Sequence, residues 1–269
     1  RMKVLHHYFL TIMKIEQKVA LGENDFSFNE SIFFSKPSNI KVVVERSGDV
    51  VTLLRRGSDC EISTSGKKIN SPCSSIRSNF YYNILTGLAN PIDYYRSLNI
   101  DVKEGFVSIK RTDEGAYVPV EDTLLLKSNN TPIFIIGVDK SSYKAAVEDT
   151  KSGEDLLTSV LDNIKTKTPQ IWLDKTDFCP LRIYGKKNSG DKVEILLSSY
   201  IKDASEVPFP SKIALFVNDM EKVSYLVKAF ETGLKLGDDV FQKQSQQPID
   251  IASLTDNKKK LVEYLLDYR

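Results

Sequence analysis

Few side chains in this sequence have the type and spacing to do chemistry. Serine precedes glycine at Ser47-Gly48, Ser65-Gly66 and Ser189-Gly190, but each pair lies in a polar turn. None completes the GxSxG elbow that exposes a serine nucleophile. There is no phosphate-cradling P-loop and no GxGxxG. The two histidines, His6 and His7, are adjacent. On a helix they point in different directions and cannot chelate as an i,i+4 pair would. Asp174 and Asp177, and Asp238 and Asp239, are paired carboxylates in turn-like contexts, where aspartate serves to cap the backbone. The three cysteines, Cys60, Cys73 and Cys179, form no CxxC pair. Cys60 and Cys73 flank a hairpin expected at 61–69, and their spacing fits either a disulfide or two thiols. These types and spacings predict no enzyme, no cofactor and no metal. Asn29-Glu30-Ser31 and Asn129-Asn130-Thr131 match the glycosylation pattern, which is short enough to arise by chance.

With no reactive constellation to position, the apolar pattern becomes the informative signal. The stretch 25–56 carries three apolar runs in immediate succession, at 26–34, 40–44 and 50–54. In the first, Phe26, Phe28, Ile32 and Phe34 recur at a spacing of two, with Asn29 and Ser31 on the opposite side. In the second, Ile40, Val42 and Val44 alternate with Lys41, Val43 and Glu45. Period two with short breaks predicts an antiparallel meander with one apolar face. Such a face is either sealed as core or used as a binding surface.

The 269 residues suffice for one large β domain, and 41% hydrophobic content supports a real core. A net charge of +1, with both signs scattered, argues against a nucleic-acid partner, which would require a basic face. No apolar run is long enough for a membrane helix. A signal, lipid anchor or membrane tether ahead of Arg1 stays open.

Residues 2–21 are expected to form an amphipathic helix, because Leu5, Tyr8 or Phe9, Ile12, Ile15 and Val19 recur at three and four. Ile76, Phe80, Ile84 and Leu85 predict a helical insertion over 74–98, restarted at Pro91. Further strands are expected at 102–110, 116–120, 124–126, 132–138, 170–173, 179–184, 193–199, 212–217 and 224–232. Breaks are expected at 208–210 and 218–219, with a polar excursion over 140–167 that includes a helix at 154–164. A last helix is expected at 255–268, with Leu261 and Leu265 on its apolar side. The fold class is α+β, dominated by a large antiparallel sheet.

The order of elements and several short runs resemble the LolA-like family of lipoprotein carriers. The runs are FFSKPSNIKV at 33–42, PQIWLDKTDFCPLRI at 169–183, FPSKI at 209–213 and LGDDVF at 236–241. The resemblance implies a single domain over 1–269, a strongly curved incomplete β-barrel covered by a helical lid made of 2–21 and 74–98. The excursion at 140–167 and an extension at 248–269 would be additions. It implies a non-enzymatic, periplasmic carrier or sensor that shelters acyl chains of lipoproteins or lipids between sheet and lid. The cavity lining would comprise Phe26, Phe28, Ile32, Phe34, Ile40, Val42 and Val44 from the strands and Leu5, Phe9, Ile12, Phe80 and Ile84 from the lid, with Trp172 beside them. Lys36 would stand at the lid latch. There the family's carriers have arginine, and lysine keeps the charge without the planar fork of donors. A regulatory or structural interaction module with a filled interior, binding an envelope protein partner, is the alternative.

Overall fold

The computed structural model describes residues 13–22, 26–35, 39–57, 59–70, 95–101, 109–111, 117–119, 124–125, 132–137, 169–174, 177, 179–204, 206, 208–243 and 247–268. Most of these lie in strands. Fourteen strands hydrogen-bond in one large open sheet, in the order Gln247–Ile249, Lys67–Ile69, Asp59–Thr64, Asp49–Arg56, Asn39–Arg46, Phe26–Ser35, Met13–Leu21, Met220–Thr232, Pro208–Val217, Lys192–Lys202, Pro180–Lys186, Gln170–Asp174, Pro132–Ile136 and Leu124–Leu125, and Ile109–Arg111 pairs with Tyr117–Pro119 separately. The chain divides into two compact units, Arg1–Pro91 with Ser199–Lys212 and Val223–Arg269, and Ile92–Ser198 with Ile213–Lys222. The long strands β13 (Lys192–Lys202), β14 (Pro208–Val217) and β15 (Met220–Thr232) contribute to both.

The first unit contains the meander. β1 (Met13–Leu21), β2 (Phe26–Ser35), β3 (Asn39–Arg46), β4 (Asp49–Arg56), β5 (Asp59–Thr64) and β6 (Lys67–Ile69) pair antiparallel in sequence order. The edge strand β16 (Gln247–Ile249) adds in parallel to β6. The helix α1 (Asp256–Tyr268) follows. The turns explain the tight register. Ser47-Gly48 and Ser65-Gly66 both take positive φ at both central positions, as two-residue hairpin turns that match strand twist require.

Register builds the core in rows. Phe230, Ile15, Ile32, Val42, Leu53 and Ile62 stand directly opposite one another on successive strands, all buried. The neighbouring row runs Val227, Gln17, Glu30, Val44 and Val51, equally buried. A β-bulge interrupts the β1–β15 ladder at Glu16/Gln17, beside that second row. On the same unit Phe209 stacks on Phe230 at 4.5 Å.

The second unit contains β7 (Ile109–Arg111), β8 (Tyr117–Pro119), β9 (Leu124–Leu125), β10 (Pro132–Ile136), β11 (Gln170–Asp174) and β12 (Pro180–Lys186). Ile171, Ile183 and Ile195 form its central row and are buried. The β14–β15 turn, Asn218-Asp219, is again at positive φ. Asn218 accepts from the Lys192 backbone N–H and donates to Asp191, both at 2.9 Å.

Two expectations are corrected. Residues 13–21 form a strand, not the second half of a helix. Ile15, Gln17 and Val19 are buried at a spacing of two because β2 and β15 flank this segment on both sides, and tertiary pairing overrides the weak helical stripe. Residues 208–210 open β14 instead of breaking the sheet. The strands β2–β5, the hairpin at 61–69 and the last helix form where expected. The helix expected at 154–164 and residues 71–94 lie outside the described residues; of the helical insertion, 95–97 are helical and Tyr95 and Leu98 are buried. Asp238-Asp239 opens a 3-10 turn, Asp238–Phe241, with Phe241 buried.

Candidate functional site

Of the side chains with chemistry-capable types, Asp177 and Ser189 support turns. The Asp177 carboxylate accepts from the Cys179 backbone N–H at 2.9 Å, and Ser189 donates to Asp191 at 2.7 Å on the surface. These two bonds help hold their loops together. The hydrogen bonds from Asn218 and then Ser189 hold the Asp191 carboxyl below its usual range. Among the described residues no cluster of His, Cys, Asp or Glu is placed to hold a metal ion. Cys60 is disulfide-bonded and Cys179 is a buried free thiol, while Cys73 lies outside the described residues.

The strand residues predicted to line a cavity do converge. Phe26, Phe28, Ile32, Phe34, Ile40, Val42 and Val44 share the inner face of β2 and β3, each 7% exposed or less. The helix over this face is α1. Leu261, Val262, Tyr264 and Leu265 are its buried side chains. Lys260 and Tyr264, one turn apart, meet β2 in sequence: Lys260 Nζ lies 5.2 Å from the Phe26 ring centroid, and Tyr264 packs edge-on against Phe28 at 4.6 Å. Thr255 caps the helix start, accepting from the Lys258 N–H at 3.4 Å.

One charged side chain interrupts the apolar face. Glu30, 1% exposed, accepts a hydrogen bond from the Tyr264 hydroxyl at 3.0 Å and another from the Gln17 side-chain amide. A carboxylate buried in an apolar row is costly unless donors surround it. Here one donor comes from the adjacent strand and one from the helix, so the polar contact ties α1 to the sheet. The outer end of the face is cationic. The Arg46 guanidinium stacks on Phe26 at 3.9 Å, and Lys258 reaches Asp49 at 3.5 Å.

Trp172 belongs to the second unit. Its indole N–H donates to Gln170 at 2.7 Å, and the Arg182 guanidinium sits 4.6 Å from its ring and 5.4 Å from that of Tyr184. Arg182 forms an ion pair with Glu194 on the neighbouring strand. Burial raises the Tyr184 hydroxyl's pKa, against the lowering effect of Lys192.

The predicted lid residues Leu5, Phe9, Ile12, Phe80 and Ile84, and the predicted latch Lys36, lie outside the described residues. Three residues of the site escaped the sequence reasoning: Gln17, Glu30 and Tyr264. The signal for Glu30 was its parity. It occupies the same alternate positions as Phe26, Phe28, Ile32 and Phe34, so a strand with one face buried must bury it too.

These features define an open antiparallel sheet whose aromatic-rich face lies under a C-terminal helix. No family model matches the chain, and no curated protein matches it. Among solved structures, the chain is similar to an outer membrane lipoprotein-sorting protein domain from Vibrio parahaemolyticus, with a TM-score of 0.46 and 10% identity over 90% of this chain and 94% of the other. It is similar to a LolA superfamily protein from Nitrosomonas europaea, with a TM-score of 0.46 and 12% identity over 90% and 96%. A DUF1329 family protein from Desulfovibrio piger gives a TM-score of 0.46 and 11% identity over 88% and 92%.

Proposed function

We propose that this chain is a non-enzymatic carrier or sensor of the bacterial cell envelope, working in the periplasm, that binds acyl chains of lipoproteins or lipids on the inner face of β2 and β3. The observation that carries this reading is the convergence of Phe26, Phe28, Ile32, Phe34, Ile40, Val42 and Val44 on one face beneath one short helix. An acyl chain gains about 0.8 kcal/mol per buried methylene, so a long chain offers roughly 10 kcal/mol to a dry surface that admits it. The chemistry needs no catalytic group. Release needs a cover that yields, and α1 is held by its apolar stripe plus a small polar set around Glu30 and Asp49. The resemblance of the sequence runs to LolA-like carriers points the same way.

Native mass spectrometry of protein purified from its own host tests this. Copurifying acyl species, and uptake of a hydrophobic dye that those species displace, are the expected result. Identical spectra before and after delipidation, with no dye uptake, would overturn it. The near-complete burial of the face supports the second reading, an interaction module with a filled interior. Deleting 255–269 separates the two: a carrier face gains dye binding, whereas a filled interior loses cooperative folding.

A further inference from the structure

We infer that Arg46 and Lys260 form a binding site for an oxyanion, the phosphate or carboxylate headgroup of an amphiphile whose chain lies on the inner face of β2. Both cations address one ring: Arg46 Cζ is 3.9 Å and Lys260 Nζ 5.2 Å from the Phe26 centroid. The ring's π-face attracts each cation, yet it supplies no counter-charge. Among the described residues neither cation has an ion-pair partner. Asp49, which stands opposite Arg46 across the β3–β4 hairpin, is engaged by Lys258 at 3.5 Å and Thr255 at 3.3 Å. The Arg46 Nη1 atom is also buried with no hydrogen-bond partner. A buried guanidinium donor left unpaired is costly, and a bound acceptor is one of the few arrangements that satisfies it. Lys260 is exposed, so the Lys260 side of the position is reachable from solvent.

The direction of the face names the ligand class. From Phe26 the rings continue to Phe28 at 5.9 Å and on to Tyr264 at 4.6 Å. A headgroup held by these cations at the Phe26 end therefore starts its chain at the aromatic end of the apolar face. Arg182 also has a buried Nη1 without a partner. It is already paired with Glu194, whereas Arg46 has no ion pair among the described residues, so the oxyanion is assigned to Arg46. The chain half of this inference rests on the acyl-binding reading above; the oxyanion half does not.

Isothermal titration with dodecyl phosphate, dodecyl maltoside and inorganic phosphate, each amphiphile below its micelle concentration, tests both halves. Wild-type protein is expected to bind dodecyl phosphate at least about tenfold more tightly than dodecyl maltoside. Arg46→Gln and Lys260→Gln should each collapse that ratio toward one. Equal binding of the two amphiphiles by wild-type, or a ratio that survives both substitutions, overturns the oxyanion site and leaves the carrier reading standing. Binding of inorganic phosphate alone, abolished by either substitution, supports the oxyanion site and overturns the acyl reading. No binding of any probe overturns both. If Arg46→Gln melts early, Lys260→Gln, at an exposed position, still decides the outcome.

Discussion

Both units bury charge on their sheets, and Glu30 and Arg182 are held differently. In the second unit Arg182 pairs with Glu194 on the adjacent strand, across a strand pair that backbone hydrogen bonds already fix. In the first unit Glu30 is satisfied in part by Tyr264, 234 residues further along the chain. The Arg182 pair therefore adds little order that the ladder lacks. The Glu30 contact fixes an element that no ladder holds. A buried polar group is most consequential where it specifies the position of something otherwise free to dock in several ways.

The comparison is broken most directly at its center. Glu30→Ala leaves the Tyr264 hydroxyl and the Gln17 amide without this acceptor and should cost about 3 kcal/mol in urea unfolding. A loss below about 1 kcal/mol would place Glu30 on the same footing as a surface charge. Tyr264→Phe removes one hydrogen bond and keeps the ring against Phe28, so a loss of about 1–2 kcal/mol is expected. A double-mutant cycle with Glu30→Ala should show strong non-additivity, because the two side chains share the contact. Glu194→Gln should cost about 1 kcal/mol or less, since the Glu194 side chain is a quarter exposed and water replaces part of the interaction. Trp172, the sole tryptophan, reports on this pair: Arg182→Met should shift its emission, whereas Tyr264→Phe should not.

A further effect is confined to alkaline pH. Burial pushes Tyr95 in the second unit up to about 12 from an ordinary value of 10.0. Its folded pKa lies above the unfolded one, so its contribution is fully present below about pH 10 and is lost as pH rises toward 12. Stability measured by urea unfolding should therefore fall across that window, and Tyr95→Phe should flatten the slope without changing it at pH 7.

The meander was legible because Phe26–Phe34 and Ile40–Val44 alternate at a period that only a half-buried strand requires. The same rule, applied to Glu30, locates the buried carboxylate; its polarity drew attention away from its parity. β1 was illegible for a different reason. Its Ile15 and Val19 fit helical spacing as well as strand spacing, and only pairing with β2 and β15, the latter more than 200 residues away in sequence, selects the strand. α1 was legible from Leu261 and Leu265. Tyr264 was not, since its role depends on Glu30 facing it, and nothing local to the helix encodes that.

The short link between β16 and α1 has a kinetic consequence. Residues 250–255 include a 3-10 turn at Ile251–Ser253, and β16 is anchored to β6. A helix that lifts off the face thus remains tethered beside it, at an effective concentration in the millimolar range for a short link. On the carrier reading, a chain that enters between sheet and helix waits for the helix to lift, and its apparent affinity is reduced by the fraction of time the entrance stands open.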